Sequence, residues 1–447
     1  MLLALSLLAA TSGGAKCRAD EVASAGTTTL APSSATADPD REAIPSPASV
    51  PAPASSAAPV PVPEPSALAS SHHRSGVWLW VAWSAWAVAL PALIFFSGFS
   101  ARLRTLALRV GRRWYGALVV YVALLACVWF AADLPLDFYA DYIRPHQYGL
   151  SSQTFGKWLK DDVLSLILLI VAASLVVWIP LLLLKRSAQR WWWYAWLAGL
   201  PILVLVALIE PIWLEPLFNH FGPMQDKALE ERILKLAARA GVDAADVYEV
   251  NKSVDTNELN AYVTGIGATK RIVLWDTTLK ALSPAQVEQI MAHEMGHYVL
   301  RHVWKGLALG SLMLLAALWA VQVSAAWLLP RFSGSSQVRE LDDIAALPLL
   351  ALLLSVVAFL LTPAALAVSR HFEHEADRFG LELTHDNHTC ATVFVAFVRH
   401  DLSYPRPAAL LQFFRASHPS IAQRIEFCNT YHPWAQGEEE RYSRYFH

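Results

Sequence analysis

Six runs of about 20 apolar residues constrain this chain more than any other feature, because a helix needs that length to cross the hydrocarbon core of a bilayer. They lie at 77–99, 114–133, 163–184, 191–209, 303–329 and 344–368. In lipid the backbone has to satisfy its own hydrogen bonds, so each run must be helical. Of the 447 residues 55% are hydrophobic and only 16% charged, which excludes an ordinary soluble enzyme. Trp78, Trp80, Trp114 and the Trp191-Trp192-Trp193 run stand near span ends, where amphipathic rings anchor at the interface. A net charge of −2 gives no reason to expect a nucleic-acid partner; the partner that composition demands is the lipid bilayer. The expected fold class is a mainly α-helical polytopic membrane protein of six spans with a small inserted α+β domain.

Shifts in composition set the domain boundaries. Residues 1–16 form an apolar run too short to span a membrane, similar to a signal-peptide core but without the usual basic start. Residues 17–75 are rich in Ala, Pro and Ser and are expected to be a disordered tether. The first four spans fall within 76–213 and the last two within 303–369, followed by a C-terminal domain at 370–447. Between them, 214–302 turns polar and periodic. Residues 226–240 read as an amphipathic helix stopped by Gly241, and 247–251, 260–263 and 271–275 as short strands. The four cysteines contain no C-x-x-C pair and fit neither a zinc ribbon nor a disulfide framework; a single Cys390–Cys428 bridge stays open.

The chemistry begins at His293-Glu294-Met295-Gly296-His297, an H-E-x-x-H pattern. Ser283, Pro284 and Gln286 supply an N-cap, a first helical residue and a capping box, so the pattern sits on a helix expected to run straight into the fifth span. One helical turn separates His293 from His297, so both imidazoles can reach one Zn²⁺. Glu294 is rotated away from that line, placed to handle a proton rather than to bind metal. A third ligand is needed. The sixth span ends in Ser369-Arg370-His371-Phe372-Glu373-His374-Glu375-Ala376-Asp377, and ionisable residues there are costly unless they have partners. Glu373 and Asp377 share a face, with Arg370 one turn earlier; Glu373 is the candidate ligand and Asp377 a partner for a ligating imidazole. Spacing alone leaves His374 and Glu375 as competitors, although both, like His371, fit solvated residues past the membrane edge.

These paired motifs resemble the M48 family of integral-membrane zinc metallopeptidases, and within it the Ste24-type CAAX prenyl protease more than the shorter HtpX-type heat-shock protease. The likeness covers roughly 77–430. It extends to Pro145-His146-Gln147-Tyr148-Gly149-Leu150, to Glu210-Pro211, to Asn260-Ala261-Tyr262, and to Ser417-His418-Pro419 with Arg424. The resemblance implies that His293, His297 and Glu373 hold one Zn²⁺ per chain and that Glu294 is the general base. It implies that Asn260, Ala261 and Tyr262 bind substrate backbone by strand addition, and that His418 stabilises the oxyanion. Arg424 would support the acidic residues, with Asp377 and Arg370 beside them. It also implies spans enclosing a water-filled chamber, and a peptide or membrane-protein substrate, prenylated or not.

This chain offers six spans where Ste24-type enzymes usually carry seven. The resemblance implies a cytosol-facing site. Span counting instead puts the basic segments 102–113 and 185–190 opposite the motif domain, and the positive-inside rule then leaves the site outside. The signal-like start and Ala/Pro-rich tail point to a bacterial inner membrane. Most bacteria lack prenylated proteins, so quality control of damaged membrane proteins is the alternative task. A zinc-bearing scaffold would usually lose the base, and Glu294 is intact; a transporter would show repeated halves, and none is seen.

Overall fold

The computed structural model describes residues 58–242, 246–264 and 271–447. The signal-like run and the first part of the tether, through residue 57, lie outside the described residues. Six described helices are long and apolar enough to cross a membrane: Ala67–Phe96, Trp114–Gln147, Phe155–Arg186, Trp191–Leu217, His302–Ser336 and Ile344–Thr384. The sixth is the central pillar, with 56% of its apolar window buried against 11–33% for the others. Phe95, Leu118, Leu181, Leu318, Val321 and Leu350 form the apolar seam between spans.

Most spans are longer than the apolar count suggested. The first helix, α1 (Ala67–Phe96), starts ten residues before the expected span, because the Ser66 hydroxyl caps it by accepting from the Ala69 amide. The end of the expected tether is therefore ordered. Val60 exchanges two hydrogen bonds with the Asn429 side chain, and Val60 and Val62 pack beside Cys390, Phe394 and Cys428. Average composition hid two valines that alternate along an extended strip and find an apolar groove. The basic segment after α1 is a helix, α2 (Phe99–Gly111), whose Arg104 pairs with Asp343 before the sixth span. The second span helix, α3 (Trp114–Asp137), follows. Trp78 and Trp114 are exposed as interface anchors should be. Trp191 is not an anchor: it is 0% exposed, and its indole N–H donates to Gln322 of the fifth span.

The inserted domain is built on a four-stranded sheet in the order β1-β2-β4-β3. β1 (Phe221–Pro223), unexpected from sequence, pairs antiparallel with β2 (Asp246–Val250), which runs parallel to β4 (Arg271–Trp275). β3 (Ala261–Thr264) pairs antiparallel with β4, Tyr262 opposite Val273, and is the outer strand among the described residues. Helix α4 (Lys227–Arg239) buries Leu229, Ile233 and Leu236 at helical spacing, as its amphipathic pattern requires. That face packs on Val287, Met291, Ala292 and Met295 of α5 (Pro284–Val299) and on Ile272 and Leu274 of the sheet.

Helix α5 carries the H-E-x-x-H pattern, and its capping box forms as the sequence requires. It does not run straight into the fifth span. Arg301 adopts a left-handed conformation (φ 56°) that ends α5, and α6 (His302–Ser336) starts afresh. The last long helix, α7 (Leu347–Thr384), continues unbroken past the expected span end and carries Glu373 and Asp377 in its buried face. The C-terminal domain continues with α8 (Asn387–His400), α9 (Ala409–Arg415) and α10 (Ile421–Thr430), followed by two short turns of helix, Pro433–Gln436 and Ser443–Tyr445. A disulfide joins Cys390 of α8 to Cys428 of α10.

Candidate active site

The apolar face of α5 is fixed by the α4–sheet core, so the rotation of its remaining faces is fixed too. His293 and His297 meet α7 at a crossing that glycine makes close. A Cβ on Gly380 would stand 2.9 Å from the His293 backbone nitrogen, and one on Gly296 would stand 3.0 Å from Phe379 Cβ. Only hydrogens at both positions let the helices approach so far. At this crossing His293 Nε2 and His297 Nε2 lie 3.1 Å apart, and each lies 3.3 Å from a Glu373 oxygen. Glu373 is 3% exposed. Of the residues that competed as third ligand, His374 turns to Arg378 and the Phe427 ring. Glu375 and the exposed His371 face one another instead.

These three side chains fit a metal ion. His293 Nδ1 faces an Asp377 oxygen at 2.9 Å, so that nitrogen carries the proton and Nε2 presents a lone pair. Two ring nitrogens and a carboxylate turned on one point repel unless something positive joins them, a proton when the site is stripped or a metal ion when it is loaded. Their edges of 3.1–3.3 Å match the spacing of about 3.3 Å expected between ligands 2.0–2.1 Å from a tetrahedral centre. Glu373 Oε2 is buried with no hydrogen-bond donor aligned on it, as a metal-facing oxygen should be.

The surrounding residues come from the C-terminal domain. Arg424 of α10 donates from Nε and Nη2 to the two Asp377 oxygens at 2.9 and 2.6 Å, and its guanidinium lies over the Phe394 ring. Burial opposes the Arg424 charge, but the Asp377 and Glu373 carboxylates outweigh it and push its pKa up. His418 Nε2 approaches Glu373 Oε2 at 3.1 Å, while its Nδ1 bonds Ser417 Oγ at 2.8 Å. Arg370 does not join the acidic residues. Its Nη1 donates to the Gln412 and Ala416 carbonyls at 3.0 and 2.7 Å, pinning the turn that presents Ser417 and His418. Glu294 is buried on α5; that burial raises its carboxyl above the usual range, against the opposing pull of His293 and His297.

Asn260 precedes β3, and Ala261 and Tyr262 open it; Ala261 shares an apolar core with Met291, Ala292 and Met295 of α5. Asn260 bonds through its backbone to Thr278 Oγ1, and its side-chain oxygen accepts from the Ala261 amide at 2.7 Å. Tyr262 donates its hydroxyl to Glu215 at the end of the fourth span. Sequence reasoning missed this tie and missed His302, whose ring bonds His297. A histidine at the mouth of an apolar run was the available signal for the second.

Two family models match the chain: Peptidase family M48 over residues 223–431, and CAAX prenyl protease N-terminal, five membrane helices, over 66–220. The Bacillus subtilis "Uncharacterized metalloprotease YhfN" is 40% identical over 308 residues, 69% of this chain and 72% of the relative. "CAAX prenyl protease 1" of Saccharomyces cerevisiae is 25% identical over 319 residues, 68% of this chain and 70% of the relative. The crystal structure of S. mikatae Ste24p superposes with a TM-score of 0.70 at 22% identity, covering 80% of this chain and 87% of that one, which gives the fold. Matched motifs, matched membrane helices and a shared fold make the chain a member of peptidase family M48, an integral-membrane metalloendopeptidase of the Ste24 type.

Proposed function

We propose that the protein is a zinc endopeptidase in which His293, His297 and Glu373 hold one Zn²⁺ and an extended peptide docks as an added strand along β3. The observation that carries the reading is the meeting of those three side chains at one point, two of them buried and His293 half-buried, with Glu294 on the same helix and His418 on the same carboxylate. Two imidazoles and one carboxylate, with no thiolate, are a donor set of catalytic zinc sites. Bound zinc supplies Lewis acidity, which polarises a carbonyl and acidifies water.

The chain's own residues do the rest. Glu294 takes a proton from the attacking water and returns it to the leaving amine as the C–O bond forms and the C–N bond breaks. In the tautomer that takes the Ser417 hydroxyl at His418 Nδ1, the proton sits on Nε2, which faces Glu373 and turns to donate to the oxygen that gains charge on the attacked carbon. Asp377, clamped by Arg424, keeps His293 in the tautomer that offers Nε2. The outer strand β3 offers main-chain donors and acceptors for strand addition by substrate, with Asn260 at its entrance.

For substrate, the named CAAX prenyl proteases among the relatives support a prenylated C-terminal peptide. A second reading, cleavage of extracytoplasmic or damaged membrane protein, is favoured by two observations. The Cys390–Cys428 disulfide lies in the C-terminal domain, on the active-site side, and disulfides persist in oxidising compartments. Arg104 of the basic helix α2 pairs with Asp343 before the start of the sixth span, at the end away from Glu373, and basic residues favour the cytoplasmic side. Purified zinc-loaded protein is offered a farnesylated CAAX peptide and an unprenylated copy, with Glu294→Gln as control. Preference for the farnesylated peptide supports the first substrate and equal cleavage supports the second. Cleavage of neither, or wild-type turnover by Glu294→Gln, contradicts the mechanism.

A further inference from the structure

We infer that His302 and Glu375 form a positioning relay for the metal ligand His297, equivalent to the direct Asp377 contact on His293; the inference rests on the zinc reading above. The break at Arg301 makes it available. On a continuous helix, residues five apart point about 140° away from one another. Because α6 starts anew at His302, its ring turns back instead, and His302 Nδ1 meets His297 Nδ1 at 3.1 Å. His302 is 2% exposed and lies flat on the Phe372 ring, 4.5 Å between centroids and 8° between planes. On its far side Nε2 faces Glu375 Oε2 at 3.3 Å.

Proton placement follows from hydrogen-bond logic. His297 turns Nε2 toward His293 and Glu373, so a metal on that side leaves the proton on Nδ1. Among the described residues that N–H meets His302 Nδ1, which must then be the unprotonated nitrogen of a neutral ring. His302 therefore carries its proton on Nε2, which lies 3.3 Å from a Glu375 oxygen without an aligned hydrogen bond to it. Glu375 is itself set among cationic groups and donors. Tyr442 donates its hydroxyl to it at 3.2 Å, and His371, Lys305 and Arg441 lie 3.5, 3.9 and 3.8 Å away. Both imidazole ligands thus back onto a carboxylate, His293 directly and His297 through one neutral ring. Residues that orient metal-binding histidines in this way are worth about 10–100-fold in metal affinity.

Two variants of the full-length protein separate the relay from simple packing. His302→Asn keeps an acceptor close to the Nδ1 position; His302→Phe keeps an aromatic ring on Phe372 but offers His297 no acceptor. Zinc affinity is read by competition with a chromogenic chelator in detergent, and the unfolding midpoint of metal-free protein reports on the fold. The expected result is zinc affinity within a few-fold of wild type for His302→Asn and a loss of about 10–100-fold for His302→Phe. If phenylalanine prevents folding, His302→Ala takes its place in the comparison. Equal affinities for the two variants, or wild-type affinity without an acceptor, overturn the relay. Wild-type protein that binds no zinc overturns the zinc reading instead, so the two failures are distinct.

Discussion

Gly380→Ala probes what brings the two halves of the site together. The new methyl would stand 2.9 Å from the His293 nitrogen and 3.2 Å from the Ala292 carbonyl carbon, whereas ordinary contact begins at 3.4 Å. Both neighbours are backbone in the middle of α5 and cannot swing aside. The helices must separate by about 0.5 Å, and metal–ligand distances tolerate only about 0.2 Å. Stability changes little by comparison: overpacking costs about 1–3 kcal/mol, and alanine returns about 1 kcal/mol of helix propensity. The expected result is a protein that still folds, binds zinc about 10–100-fold more weakly, and turns over peptide about 100-fold more slowly at fixed zinc. Gly306→Ala in α6 is the control, since among the described residues nothing beyond its own helix backbone lies within 4 Å of the added carbon. Zinc is measured by mass spectrometry after dialysis and turnover with a fluorogenic peptide. If Gly380→Ala matches the control in both, the close crossing of α5 and α7 does not set the site.

Other outcomes follow from the same geometry. His418→Ala should leave zinc bound and lower turnover by about 100–1,000-fold, the usual cost of one oxyanion donor; an unchanged kcat would remove that role. In protein stripped of metal, burial opposes charge on His293, but Asp377 and Glu373 outweigh it and hold its pKa at about 10. The imidazole is then protonated at neutral pH and must lose that proton to bind metal. Zinc uptake should therefore release a proton and tighten about tenfold per unit rise toward that pKa, which calorimetry in buffers of different ionisation enthalpy would detect or refute. Replacing both Cys390 and Cys428 by serine opens a covalent link across 38 residues and should cost about 4 kcal/mol by chain entropy. Unchanged unfolding midpoints for the double variant and the oxidised parent would refute it.

Much of this was legible in the sequence, for identifiable reasons. The spans follow from length and apolarity, and α5 announces itself with Ser283, Pro284 and Gln286. The face shared by Glu373 and Asp377 is a consequence of helical period alone. Other features depended on tertiary contact. No local signal distinguishes Glu373 from Glu375 as the ligand; the crossing at Gly380 decides it by turning one carboxylate to the imidazoles and the other to His302. The order at Val60 and Val62 depends on a groove built by helices more than 300 residues later. Arg301 is a poor candidate for a left-handed residue by type, so the break before the fifth span was hidden, and with it the contact between His302 and His297.

The central claim is that α5 and α7 meet around one catalytic zinc, and zinc K-edge absorption of the purified protein tests it most directly. The expected spectrum shows one zinc per chain, bound by two imidazole nitrogens and oxygen at about 2.0–2.1 Å, with occupancy lost in Glu373→Ala. A spectrum with sulfur ligands, a protein that carries no zinc after supplementation, or a site unchanged by Glu373→Ala would contradict it.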